Sequence, residues 1–477
     1  MAEGTTTRER LDALWNAARS LARASGARPT GSRLPRPSSP VLDALRRAGT
    51  RHVYGDTADT HELAGLALSP EGIIPDELDG NTANQPLVRR VVDEYAEAEV
   101  LRGWDESLRS AAAYGPQGTG RGARAELLPW LYGLVCARIG NEFARSFGAG
   151  HRWDGSVQIH MALTRDPRAA VRIGELIADA VPGVLVKVPF APDAPATLLV
   201  ARELQKRGIA VNLTSTFSAR QVAVAALLAD TARTNVFLGR IDQGLQGNRL
   251  GAHVVLQAQR VLTQLRERDG VRTELIAASL REWETFLHLA GCDAFTAPCE
   301  VIHQFLLQAT PDEVRDQRSL EPKGAPAPSE IAQKVGPERI ERLHRVEDEF
   351  LEFLRAFRAS ADWPRLDVED GDALRARFEQ AGFGDFFHDP SDGERKELER
   401  SKLPLLDGAL IGRIALDTHY TLAANADFAK HQAAIDDVLQ KAVERPAALP
   451  GGRPESRPEA RPDVRPEARS GNAGGAG

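Results

Sequence analysis

Eight short apolar runs, each followed by a longer segment of helical periodicity, occupy the chain between about residues 50 and 310, and no other feature narrows the fold so far. The runs are RHVYGD (51–56), DGNTAN (79–84), GSVQIHM (155–161), GVLVKVP (183–189), IAVNLT (209–214), TNVFLG (234–239), TELIAA (273–278) and DAFTA (293–297). Between them lie segments such as PRAAVRIGELIADA, APATLLVARELQKRG, SARQVAVAALLADTA, RLGAHVVLQAQRVLTQLRER and LREWETFLHLAG, which carry the apolar periodicity of amphipathic helices. Such alternation builds a parallel sheet flanked by helices, either closed as a (β/α)8 TIM barrel or open and doubly wound. A count of eight selects the α/β barrel, which needs about 250 residues.

The chain has 477 residues, so a barrel over 41–310 leaves substantial flanks. In residues 1–40, Leu11, Leu14, Trp15 and Leu21 stand at helical spacing, and SGARPTGSRLPRPSSP reads as a flexible linker. Residues 311–445 read as a helical extension packed on the barrel, the added helices of this fold class. There Ile340, Leu343, Val346, Phe350, Leu354 and Phe357 form one stripe of a single predicted helix, and ADFAKHQAAIDDVLQKAVE (426–444) a second. Residues 446–477 run into repeats of Arg-Pro-acid-X with almost no large apolar side chain. Such a tail cannot offset its chain entropy and is expected to be disordered.

Composition excludes several functions. With 60 Lys+Arg against 67 Asp+Glu the net charge is −7, which suits neither a nucleic-acid groove nor a polybasic membrane anchor. Cys136, Cys292 and Cys299 are odd in number and lack C-x-x-C spacing, which argues against a disulfide framework and a zinc site. The N-terminus lacks the apolar run of a signal peptide, so the expected location is cytoplasmic.

Ligands of a barrel gather at the C-terminal ends of its strands, so the polar residues there are informative. Lys187 lies inside VLVKVP, where a buried ammonium costs several kcal/mol unless paired or neutralised. One reading is a lysine paired with a barrel carboxylate. The other is a lysine whose pKa burial has lowered, leaving a neutral amine able to form a Schiff base with a carbonyl.

Other strands supply partners. Asp56 ends the first run and can move protons, while Thr82 and Asn84 end the second. Gln158 and His160 stand two apart in the third run and Asn212 and Thr214 in the fifth, each pair on one face of a strand. Each residue alone also suits a turn or helix cap. Arg240 closes the sixth run, and Ser279 and Arg281 follow the seventh with a helix N-terminus expected after Ser279. Two guanidiniums and a hydroxyl at adjacent strand ends suit a phosphate, although rim salt bridges would use arginines equally well. The residues alone thus describe a barrel enzyme with a lysine nucleophile and a phosphorylated carbonyl substrate.

VYGDTAD, DGNTANQPLV, SVQIHMALTRD, VLVKVPF, RGIAVNLTSTFS, VFLGRID, IAASLRE and LAGCD resemble the transaldolase family, in family order over about 51–310. FAKHQAAIDDVL is similar to the family's closing helix. The resemblance implies that Lys187 is the Schiff-base lysine and Asp56 the acid/base of carbon–carbon cleavage. It implies that Asn84 and Asn212 hydrogen-bond the covalent intermediate and that Thr214 helps hold the catalytic water. Arg240, Ser279 and Arg281 match residues around the substrate phosphate. The implied partners are phosphorylated sugars, transferring a dihydroxyacetone unit from sedoheptulose 7-phosphate or fructose 6-phosphate. The chemistry needs neither metal nor organic cofactor, because the protonated imine is the electron sink. Monomer and homodimer are both open.

The sequence departs from the family pattern in three places. Gln158 stands where transaldolases carry a glutamate that works through the water; the fructose 6-phosphate aldolase-like branch has glutamine there. Asn235 replaces a serine near the phosphate, and Gln85 with Pro86 disturbs a Thr-Asn-Pro order. Phe237, where a tyrosine fits the aldolase branch better, and NLTSTFS favour transaldolase activity. Gln158 favours simple cleavage. A catalytically retired sugar-phosphate-binding barrel is a third reading, opposed by the intact Lys187, Asp56 and arginines.

Overall fold

Side chains along a strand alternate between two faces, and closing the sheet turns one face into the barrel interior and the other toward the helices. A computed structural model of the chain describes residues 39–60, 62–63, 78–95, 121–147, 153–181, 183–247, 249–316, 326–405 and 407–444. The expected N-terminal helix, most of the linker and the Arg-Pro tail lie outside the described residues. Eight parallel strands, β1 (His52–Asp56), β2 (Gly80–Thr82), β3 (Asp154–Gln158), β4 (Leu185–Pro189), β5 (Val211–Thr216), β6 (Arg233–Phe237), β7 (Glu274–Ala278) and β8 (Ala294–Ala297), close into a barrel. β8 pairs back onto β1, with Tyr54 opposite Thr296. The fold is therefore the (β/α)8 barrel.

In chain order the helices are α1 (Pro40–Ala48), α2 (Gln85–Tyr95), α3 (Arg121–Phe147), α4 (Pro167–Ala180), α5 (Ala196–Lys206) and α6 (Ala219–Val224), then α7 (Leu238–Leu245), α8 (Leu250–Asp269), α9 (Glu284–His288) and α10 (Cys299–Gln308). Outward-facing Val186, Val188 and Leu213 meet this helical layer and are fully buried. The opposite parity faces the barrel interior and is largely polar. Register aligns Gln158, Lys187 and Asn212 on three neighbouring strands, so their side chains share one interior layer.

At the N-terminal ends of the strands the interior is closed by ions. Arg233 bonds Glu274 at 3.0 Å, Asp154 at 3.2 Å and the Tyr54 hydroxyl. β2 and β3 also approach closely there: a Cβ on Gly80 would stand 1.9 Å from the Asp154 carbonyl oxygen, so this position excludes a side chain.

Beyond the barrel come α11 (Pro311–Asp316), α12 (Glu330–Val335), α13 (Pro337–His344), α14 (Asp348–Ala359), α15 (Gly371–Gln380), α16 (Asp392–Leu398) and α17 (Leu416–Glu444). The single helix expected across 340–357 is two, α13 and α14. Arg345 and Glu347 between them are extended, Arg342 and His344 end α13, and Asp348 and Glu349 begin α14. Each charge complements its own helix dipole, which favours a break over a continuous helix. The stripe still buries Ile340, Leu343, Phe350, Leu354 and Phe357. Rings of Phe350, Phe378 and Phe386 pack together and reach Phe190, just past β4, at 5.1 Å from Phe386.

The second expected helix is longer than its apolar pattern. It begins ten residues earlier, at Leu416, and α17 lies across the C-terminal ends of the strands. Its residues touch five successive places there. Asp417 pairs with Arg220, the Thr421 hydroxyl donates to the Ser215 carbonyl (2.9 Å) and the Asn425 amide to the Phe190 carbonyl (2.8 Å). Gln432 receives a bond from Gln85 (3.4 Å), and Asp436 from His160 (3.0 Å).

Candidate active site

A cleft of about 570 Å³ opens beneath α17 at the C-terminal ends of the strands. It is lined from the barrel by Asp56, Asn84, Phe237, Arg240, Ser279 and Arg281, and from the extension by Lys402, Asp427, Phe428 and His431. Both its place and its size suit a small polar substrate. A second cavity of about 300 Å³ lies at the other end of the barrel, around Arg233 and Glu274, where interior ion pairs occupy the polar groups.

Lys187 sits on β4 with 3% of its surface exposed, and its Nζ donates to the Ala83 carbonyl at 3.4 Å. It is not itself part of the cleft lining, but Asp56 and Arg240, which are, act on it electrostatically. Burial lowers the Lys187 pKa, Asp56 opposes that and Arg240 adds to it, leaving the amine at about 8. An ordinary salt-bridged lysine would be held above its usual value; this one is below it. At neutral pH an appreciable share of the amine is unprotonated and nucleophilic.

Asp56 ends β1 and accepts from the Thr82 hydroxyl at 2.8 Å, and Thr82 in turn meets Thr296 at 2.7 Å. One carboxylate oxygen is therefore oriented by the barrel wall. Among the described residues several buried polar atoms of the barrel have no partner: Gln158 Oε1 and Asn212 Oδ1 in the layer of Lys187, Thr214 Oγ1 two residues further along β5, and both side-chain atoms of Asn235 on β6. Asn212 Nδ2 is held by Ser156 (3.2 Å) and Gln158 Nε2 by the Met161 sulfur (3.4 Å). Such groups cost roughly 1–3 kcal/mol each when left unsatisfied, so their concentration inside the barrel marks space that a polar molecule would fill.

Two expected placements change. Arg240 does not close β6, which ends at Phe237; it lies in the first turn of α7. Nor does a helix start after Ser279, because the next helix, α9, begins at Glu284. Ser279 instead adopts a left-handed φ of +68°, and Gly239 lets the two turns meet: a Cβ there would lie 2.0 Å from the Ser279 carbonyl oxygen. That contact brings Ser279 and Arg281 to the same cleft as Arg240.

His160, grouped in sequence with Gln158, is separated from it, since β3 ends at Gln158. The His160 Nδ1 accepts from the Ala162 amide (3.0 Å), which leaves Nε2 as the donor to Asp436. Gln85 is likewise structural, tying the Ile159 carbonyl (3.0 Å) to Gln432. Asn84 serves two purposes, accepting from the Leu87 amide (3.2 Å) as the cap of α2 while lining the cleft.

Sequence reading did not single out Lys402, Asp427, Phe428 or His431. The signal was present in Asp417, Thr421, Asn425, Gln432 and Asp436, polar residues at helical spacing along one face. Among the described residues no group of three or more His, Cys, Asp or Glu is arranged to hold a metal, and no helix is long and apolar enough to cross a membrane.

Comparison with known proteins agrees with this geometry. A family model described as Transaldolase/Fructose-6-phosphate aldolase matches residues 53–360. A probable transaldolase of Alkaliphilus metalliredigens is 32% identical over 135 residues, 28% of this chain and 58% of that protein. One from Moorella thermoacetica is 32% identical over 155 residues, 32% of this chain and 66% of that protein. One from Geobacillus kaustophilus is 30% identical over 161 residues, 33% of this chain and 70% of that protein. The first two matches thus span less than two thirds of each relative's length. A closed barrel, a buried lysine of lowered pKa on β4 and a match over residues 53–360 lead to one conclusion: this chain belongs to the transaldolase/fructose-6-phosphate aldolase family.

Proposed function

We propose that the chain transfers a dihydroxyacetone unit from a ketose phosphate, sedoheptulose 7-phosphate or fructose 6-phosphate, to an aldose phosphate through a Schiff base on Lys187. The observation that carries this reading is the depressed pKa of Lys187 beside the cleft containing Asp56, Arg240 and Arg281. Lys187 Nζ attacks the ketose C2 carbonyl, and loss of water gives the protonated imine. Asp56 takes the proton of the C4 hydroxyl as the C3–C4 bond breaks, and the electron pair passes into the imine as an enamine. The aldose phosphate leaves. An acceptor aldehyde then receives the enamine carbon, Asp56 returns the proton to the new hydroxyl, and hydrolysis frees the lysine.

The proposed roles of the neighbours follow from their positions. Asn84 and Asn212 would hold the hydroxyls of the bound three-carbon unit, and Gln158 and Thr214 would hold the water. Phe237 lines the barrel side of the cleft, and Asn235, buried two residues earlier on β6, would support it from within the barrel. Arg240, Ser279 and Arg281 would take the phosphate.

A second reading is cleavage without transfer, and Gln158 favours it. An amide beside the lysine can orient a water but cannot relay its proton by ionising. Both readings predict that fructose 6-phosphate with borohydride adds a reduced three-carbon adduct to Lys187 and that Lys187→Ala abolishes it. Release of glyceraldehyde 3-phosphate that is stimulated by erythrose 4-phosphate, with sedoheptulose 7-phosphate formed, supports transfer; release indifferent to the acceptor supports cleavage. No adduct with any ketose phosphate would end both.

A further inference from the structure

Arg240 belongs to the barrel, but most of what holds it does not. It is 9% exposed, and its guanidinium lies 5.7 Å from the Phe237 ring and 5.2 Å from the Phe428 ring. Its Nη2 donates to Asp427 Oδ2 at 3.0 Å and its Nη1 to the Lys402 carbonyl at 3.5 Å. Lys402, Asp427 and Phe428 all lie beyond residue 360, where the family match ends. The barrel supplies the cation and α17 supplies its counter-anion.

That counter-anion stands in the space a substrate would use. Asp427 lines the same cleft as Ser279 and Arg281. A carboxylate and a phosphate make the same demand on a guanidinium, in-plane N–H donors, and the two anions repel one another when they share it. Arg90 in the cleft is already paired with Glu62 at 3.1 Å, whereas Arg281 has no carboxylate partner among the described residues. Counted over the lining, Arg90, Arg240, Arg281 and Lys402 face Asp56, Glu62, Glu300 and Asp427, so formal charges of the two signs balance. An arriving dianion finds an arginine that is already engaged.

We propose that Asp427 determines specificity as a resident anion, occupying Arg240 in the empty cleft and giving it up only to the phosphate of an incoming substrate. The choice of sugar phosphates as the substrates rests on the function proposed above; the competition of two anions for one guanidinium does not. His431, one turn along α17, stands 3.8 Å from the other Asp427 oxygen, and its Nδ1 is buried without a partner. The displaced carboxylate therefore has a polar neighbour on its own helix. A phosphorylated ligand has to break the Arg240–Asp427 pair, whereas free dihydroxyacetone does not, so Asp427 narrows the preference between them.

Calorimetric titration of the full chain with inorganic phosphate tests this directly. The near-isosteric Asp427→Asn variant is expected to bind phosphate at least about tenfold more tightly, and to raise kcat/KM for fructose 6-phosphate relative to dihydroxyacetone addition by a similar factor. Asp427→Glu, which keeps the charge, is expected to stay within about threefold of the parent. Unchanged or weaker phosphate binding by Asp427→Asn would overturn the proposal, because Asp427 would then be orienting Arg240 for the phosphate. Tightening by both variants would overturn it too, by pointing to packing instead of charge. So would the failure of parent and variants alike to bind phosphate. Borohydride trapping of dihydroxyacetone on Lys187 in the same preparations separates the two proposals: its absence removes the Schiff-base reading and leaves the phosphate comparison standing.

Discussion

Arg220 and Asp417 form a buried, two-pronged ion pair, with Arg220 Nε 2.7 Å from Asp417 Oδ2 and Nη2 2.8 Å from Oδ1. Ser218 adds a hydrogen bond to the same carboxylate at 2.7 Å, and the third arm of Arg220 reaches Asp385 at 3.0 Å. The start of α6, just past β5, is thereby joined to the first turn of the helix that covers the cleft. Burial alone would raise the Asp417 pKa, but Arg220 outweighs it and holds the carboxyl below its ordinary value.

Removing Arg220 leaves the Asp417 carboxylate buried and without its cation. Arg220→Ala is expected to destabilise the protein by about 3–5 kcal/mol, read from chemical denaturation, and to make amides of α17 exchange faster. A loss of less than about 1 kcal/mol would show that α17 is held mainly by its other contacts.

Imine formation should follow the protonation of Lys187. Because its pKa is lowered to about 8, the trapping rate with dihydroxyacetone should rise about tenfold per pH unit below that value and level off above it. Asp56 holds the amine up, so Asp56→Asn should move the plateau to lower pH while slowing bond cleavage about 10²–10⁴-fold. A parent rate still climbing beyond pH 10 would contradict the lowered pKa.

Gln158 stands opposite Lys187 in the β3–β4 register. A carboxylate there favours the charged lysine, so Gln158→Glu should shift the imine-formation profile to higher pH. If a titratable group is what limits acceptor-dependent transfer, the same variant should raise transaldolase turnover. A profile that does not move would mean that the new carboxyl stays protonated or turns away from the amine.

The close approach of Gly239 to Ser279 shapes the side of the cleft where the phosphate is proposed to bind. Gly239→Ala is expected to cost about 1–3 kcal/mol in stability through the backbone clash, and to raise KM for fructose 6-phosphate while changing dihydroxyacetone trapping much less. Arg281→Ala should give the same substrate pattern without the stability loss, since Arg281 is exposed. Equal losses for both substrates would argue against a phosphate role.

Much of this was legible in the chain. The cores of the strands fell within the expected spans, because a short run of about four to eight residues between helix-patterned segments is enough to mark a strand. Lys187 stood out because an ammonium between valines is costly wherever the strand lies. The edges were less legible. TNVFLGRID runs through β6 into α7 without punctuation, and the stripe through 340–357 continues across a break that helix-end charges decide.

By itself the sequence determined the eight-strand pattern, the buried lysine and the polar strand ends, since these depend on neighbours one to four residues away. Only the tertiary structure decided that α17 roofs the cleft, that Asp427 meets Arg240 from 187 positions away, and that Ser279 needs Gly239. Those contacts depend on closure of the barrel and on where the extension docks. Local periodicity reports which face of an element is buried; it does not say which distant residue the buried face will meet.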